Sequence, residues 1–182
     1  MKKLAIASIL GAIVIFLWQF LSFALLEIHN PATDYTPKQT EILNYLSTQF
    51  TESGSYVMPR SPKGTSSEEM EKSMKEFEGK PWAIVSYHKS NDMNMSANML
   101  RGIVINIIMV GLLCWIVSRL KDPTFSTILL TSIVTGLIIF FNVPYTSHIW
   151  YETFDVNAYF IDAIVGWGLV GLVVGLVYRK KA

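Results

Sequence analysis

The sequence predicts a membrane all-α four-helix bundle, with a small α+β extracytoplasmic domain inserted between helices 1 and 2. Three observations carry that prediction. Residues 4–26 and 123–149 contain no charged side chain. Charged residues are 16% of the 182-residue chain, where an average soluble domain carries roughly 25%, and 51% of it is apolar. Basic residues collect in three short segments that flank the apolar runs. Uncharged runs of this length have no use in a soluble core, so a soluble enzyme is excluded. Cys114 is the single cysteine and excludes an internal disulfide framework, and a net charge of +1 excludes a strongly basic nucleic-acid binder.

The first span lies within residues 1–26. Its uncharged part, 23 residues long, reaches roughly 34 Å as a helix, enough for a hydrocarbon core of about 30 Å. The alternative is a cleaved signal peptide with Met1-Lys2-Lys3 as its basic start. The apolar run is too long for that, and Trp18 and Gln19 interrupt it. The remaining spans fall in 97–182, at about 97–118, 125–143 and 156–178. Residues 119–124 form a tight hairpin between spans two and three, and Pro144 is expected to end span three.

Charge predicts the direction. With both termini cytoplasmic, the inner segments hold Lys2, Lys3, Arg119, Lys121, Arg179, Lys180 and Lys181 against one acid, Asp122. The rest of the chain holds eight bases and thirteen acids. This is the positive-inside pattern of a multi-pass protein.

Residues 27–96 then form the extracytoplasmic domain. Thr36-Pro37 with Gln39 reads as a helix start: threonine as cap, proline at the first helical position, glutamine reaching back. Ile42, Leu43, Leu46 and Phe50 make an apolar stripe at helical spacing. Residues 55–58 are β-prone. Ser66-Ser67-Glu68-Glu69 is a capping box opening a second helix, which Gly79 and Pro81 close. Residues 82–87 are the best strand candidate. The acids and lysines between Glu68 and Glu78 read as a solvated helix face.

Polar residues inside the apolar layer are the candidate site. The uncharged part of span four, residues 163–178, rises only about 24 Å as a helix, so the apolar layer extends to Asp162. The same reasoning puts Arg101 at the edge of span two. Both fall at similar depth, and pairing offsets the cost of a buried charge, about 2.5–3.5 kcal/mol at a helix centre. An Arg101–Asp162 pair is therefore one expectation; the alternative is that Arg101 snorkels to the headgroups and Asp162 faces outer water. Gln19, Ser22 and Asn106 lie in the same half and extend this to a polar cluster, structural or ligand-binding. Gly168, Gly171 and Gly175 on span four lack side-chain bulk and predict close approach of another helix, internal or from a partner.

A metal site is a weaker reading. His29, His88 and His148 all fall on the outer side, without the i,i+3 or i,i+4 spacing of a local ligand pair. His88 followed by Met93, Met95 and Met99 suits copper(I), a soft ion that takes thioethers. The alternative is that these methionines are apolar filler. No catalytic constellation is present: there is no G-x-S-x-G and no phosphate loop.

Trp18 with Ser22 late in span one, His29-Asn30 after it, Tyr56 with Pro59, and Asn142-Val143-Pro144-Tyr145 with Trp150 form a pattern. It resembles that of small bacterial inner-membrane proteins with four spans and one long extracytoplasmic loop. The resemblance implies this topology and no activity. The layout is also similar to that of claudins, whose paired loop cysteines are missing here.

These features predict a non-catalytic integral protein of the bacterial cytoplasmic membrane, an accessory or scaffold subunit or a homo-oligomer acting through its outer domain. Its partners would be the lipid bilayer and another membrane protein or a second copy, with no nucleic acid. A small transporter or ligand carrier with a polar site in the outer leaflet, and an extracytoplasmic copper-binding protein, are the alternatives.

Overall fold

A computed structural model describes residues 2–179. Lys180 and Lys181, counted above among the bases, lie outside them. The chain divides into two compact units, one formed by Met1–Asp34 with Asn94–Ala182, the other by Tyr35–Met93.

The first unit is helical. Its elements are α1 (Lys2–Phe20), α4 (Met95–Arg119), α5 (Phe125–Phe140), the short α6 (Thr146–Trp150) and α7 (Val156–Tyr178). Among the described residues, four helical stretches are long and apolar enough to cross a membrane. Large apolar side chains such as Ile9, Leu17, Ile105, Leu112, Leu130, Ile138 and Leu176 are exposed around the bundle. A surface of that kind is stable in lipid and not in water. The chain is a multi-pass membrane protein.

Packing runs α4–α1–α7–α5, with a thinner contact between α4 and α5. The core is small and apolar, and includes Ala7, Ile15, Val110, Leu113, Cys114, Ile128, Trp167, Val170 and Val174. Glycines permit the close approach of α5 to α7. A Cβ on Gly171 would lie 2.9 Å from Ser132 Cβ, and one on Gly175 2.7 Å from the Phe125 ring. Gly136 on α5 is tighter still, since its Cβ would strike the Ala163 carbonyl and lie 2.6 Å from Trp167 Cδ1. The partner helix of the Gly171 and Gly175 face is therefore internal. Gly168 is looser, 4.0 Å from Ile133 by the same measure.

Two helix ends depart from expectation. Pro144 does not stop span three. The helix widens into a π-helical turn, Phe141–Tyr145, with Pro144 inside it, and continues into α6. Proline removes one backbone donor, and an irregular turn accommodates that loss. Thr146 Oγ donates to the Phe141 carbonyl at 2.7 Å. Span one also ends in a π-helical turn, Leu21–Leu25. Glu27 then adopts φ 53°, and the Ile28 N–H donates to the Ser22 carbonyl at 3.2 Å. A left-handed residue at a helix end reverses the chain, and this reversal brings His29, two residues on, back onto the bundle.

The second unit holds α2 (Gln39–Gln49), β1 (Gly54–Met58), α3 (Ser67–Phe77) and β2 (Ala83–Tyr87). The strands pair antiparallel, with Tyr56 opposite Val85. Phe50 stacks on Tyr56 at 4.0 Å, and Tyr87 is buried. The capping box forms: Ser66 Oγ accepts from the Glu69 N–H, and the Glu69 carboxylate accepts from the Ser66 N–H. On the solvated face of α3, Lys75 pairs with Glu71 at 2.9 Å. The cap expected at Thr36 does not form. α2 begins at Gln39 without a side-chain cap, and Thr36 Oγ1 instead accepts from the Lys38 N–H. Thr36-Pro37 is thus a turn ahead of the helix, because a threonine hydroxyl serves a local turn as readily as a cap.

Candidate functional site

α7 carries two aspartates seven residues apart. Seven residues are nearly two full turns, so both carboxylates lie on one face, roughly 10 Å apart along the axis. Asp155 stands at the N-cap position and Asp162 two turns into the helix. The Asp155 side chain makes no cap. It reaches instead toward the segment after α1.

His29 fills the space between them. Its Nδ1 lies 2.9 Å from Asp155 Oδ2 and its Nε2 3.0 Å from Asp162 Oδ2. The second Asp162 oxygen, Oδ1, accepts from Trp18 Nε1 at 2.9 Å and from Ser22 Oγ at 2.7 Å. Trp18 and Ser22 sit four residues apart on span one and so share a face. The imidazole is 3% exposed, which leaves no room for water to replace these partners. Phe23 stacks flat on it at 3.8 Å, and Tyr159 meets it edge-on at 4.7 Å. A histidine held at both nitrogens and on one face has a fixed ring orientation.

The proton count follows from this geometry. Each N···O contact needs one proton between its heavy atoms. A neutral imidazole supplies one. The second sits either on the ring or on a carboxyl group, and in both arrangements the three groups together carry one negative charge. The carboxylates grip opposite edges of the ring, so the three groups diverge from any common centre where an ion could sit. Among the described residues no set of three or more His, Cys, Asp or Glu is placed to hold a metal ion.

Beside this network lies a partly open cavity of about 450 Å³. Asp162 and Gln19 give it polar groups, and Trp18, Phe23, Phe140, Tyr159 and Trp167 give it aromatic walls. Pro144, inside the second π-helical turn, also lines it. Ligand sites are commonly of this size, mostly apolar with a few placed polar groups.

The structure sorts the residues expected from sequence into three sets. Ser22 and Asp162 are in direct contact. Gln19 and Asn106 form their own pair, with Asn106 Nδ2 donating to Gln19 Oε1 at 2.8 Å. Arg101 is a correction: it is exposed and makes no ion pair, while Asp162 takes Trp18, Ser22 and His29. The reason is helical phase. Arg101 precedes the buried Asn106 by five residues, which turns it roughly 140° away from the face that meets α1. Met93, Met95 and Met99 are exposed, and His88 Nε2 lies 3.4 Å from Ser86 Oγ.

Sequence reasoning missed His29 and Asp155 as partners. The available signal was the seven-residue spacing of Asp155 and Asp162, since a second acid on the same helix face pointed to a shared counterpart. No family model, curated protein or solved structure matches this chain.

Proposed function

We propose that this protein is a small-ligand carrier of the membrane, whose site is the cavity beside Asp162. The observation that supports this most directly is that a half-buried, hydrogen-bonded carboxylate, Asp162, forms part of the wall of a cavity of about 450 Å³. An ionisable group at this depth in a membrane helix is costly and is typically tied to function. Satisfying Asp162 for structure alone would need no open space next to it.

The reading includes orientation. The basic segments place both termini and the 119–124 hairpin in the cytoplasm of a bacterial inner membrane. The cavity then opens in the outer half, and the Tyr35–Met93 unit is extracytoplasmic. An accessory subunit acting through that unit remains the second reading. It draws less support, because Gly171 and Gly175, the face offered to a partner, are occupied by α5.

The test is a thermal-shift screen of small organic ligands on the full chain in lipid nanodiscs. A ligand that binds the folded state raises Tm. Ile139 lines the cavity from α5, and Ile139→Trp should fill it and abolish the shift. Absence of any shifting ligand, or shifts indifferent to Ile139→Trp, would count against a carrier.

A further inference from the structure

The cavity wall is charged, and among the described residues its charge has no fixed cationic counterpart. With two carboxylates, one imidazole and two protons in the contacts, the Asp155–His29–Asp162 set is net negative by one unit. The groups packed around it are Trp18 and Ser22 from α1, Phe23 from the first π-helical turn, and Tyr159 from α7. None is cationic. Glu27, next in the chain, is held by Asn30 Nδ2 at 2.9 Å. Among the described residues Arg101 makes no ion pair, and no lysine or arginine lines the cavity.

A negative charge in a low-dielectric wall is costly to leave uncompensated. Two species can neutralise it: one further proton, or one positive charge in the cavity. They are alternatives, because either one alone brings the set to zero. The rest of the wall selects between kinds of cation. A small hydrated metal ion gains little from five aromatic rings and has no convergent oxygen set. An organic cation gains from both features, since its charge is attracted to aromatic faces and its apolar surface is buried.

We propose that the cavity binds a lipophilic organic cation against Asp162, within the rings of Trp18, Phe23, Phe140, Tyr159 and Trp167, in exchange for one proton of the Asp155–His29–Asp162 set. This rests on the carrier reading and gives it a substrate class. The exchange balances: the neutral set loses one proton to water and becomes singly negative, and the cation restores neutrality. Binding and protonation therefore compete. The apparent Kd falls as pH rises, by up to about tenfold per pH unit where the set gains its extra proton.

The experiment is calorimetric titration of the full chain in nanodiscs with tetraphenylphosphonium, and with triphenylphosphine oxide as the uncharged analogue. Empty nanodiscs serve as the blank. Running the titration in two buffers of different ionisation enthalpy counts the protons released. The expected result is cation binding at least about tenfold tighter than the neutral compound, with proton release approaching one per cation in acidic buffer. Asp162→Asn should remove both the preference and the release. Equal binding of the two compounds without proton release overturns the exchange and leaves the carrier reading standing. Binding of neither overturns both. If Asp162→Asn does not fold, proton release by the unmodified chain decides alone.

Discussion

Asp155 and Asp162, seven residues apart on α7, hold opposite nitrogens of the same imidazole, at 2.9 and 3.0 Å. His29 therefore ties the segment after span one to span four at two points nearly two turns apart. The tie is hydrogen-bonded at both ring nitrogens, largely buried and shared, so the members depend on one another.

Removing the histidine leaves two carboxylates without their partner. Breaking one side of a buried ionic contact costs about 3–5 kcal/mol. His29→Ala is expected to destabilise the protein by about that amount, read as a loss of Tm in nanodiscs. The double variant His29→Ala with Asp155→Ala should cost less than the two single effects summed, because the second change removes a charge already stranded. Strict additivity would mean that the contact contributes little.

The glycines of the α5–α7 interface divide by space. Gly136→Ala places a Cβ against the Ala163 carbonyl and the Trp167 ring. Overpacking of this kind costs about 1–3 kcal/mol. Gly168→Ala meets only Ile133, at 4.0 Å, and is expected to be neutral or slightly stabilising. Comparing the Tm of the two variants checks the packing directly, and equal effects would contradict it.

Two hydrogen bonds between helices are separable from the ionic site. Ser132 Oγ donates to the Trp167 carbonyl at 2.6 Å, and Asn106 to Gln19 at 2.8 Å. Ser132→Ala and Asn106→Leu should each destabilise by about 0.6–1.7 kcal/mol, the range for such bonds in membranes. Denaturant titration in mixed micelles measures both.

The α3 capping box has a pH signature. The Ser66 hydroxyl, and then its backbone N–H, hold the Glu69 carboxyl below the usual glutamate range. A lowered folded value means that the ionised carboxylate supports the helix above the unfolded value. That support is lost as pH falls through the folded value. Amide exchange at Glu69 and Met70 should therefore show loosening of the first turn of α3 in acid. Ser66→Ala should loosen it about fivefold at neutral pH, as loss of a cap worth about 1 kcal/mol requires. Unchanged exchange would show that the box contributes nothing.

Orientation is testable independently of all these. A reporter active only in the cytoplasm, inserted between Ser61 and Gly64, should remain silent. Activity would reverse the topology and place the Asp162 cavity toward the cytoplasm.

What the sequence determined by itself was the set of membrane-crossing helices and the capping box. Uncharged runs as long as residues 4–26 have one stable environment, and a cap is written in four consecutive residues. It also marked Asp162 as a residue that either takes a partner or faces outer water, because a carboxylate inside an apolar layer is costly alone. Which partner it took was decided only in the tertiary structure. Arg101 and Asp162 were expected at similar depth and are opposite in sign, but depth fixes one coordinate, and helical phase turns Arg101 away. His29 reaches Asp162 through a π-helical turn and a left-handed Glu27. Neither leaves a periodicity to read, since both are settled by the packing of span one against span four.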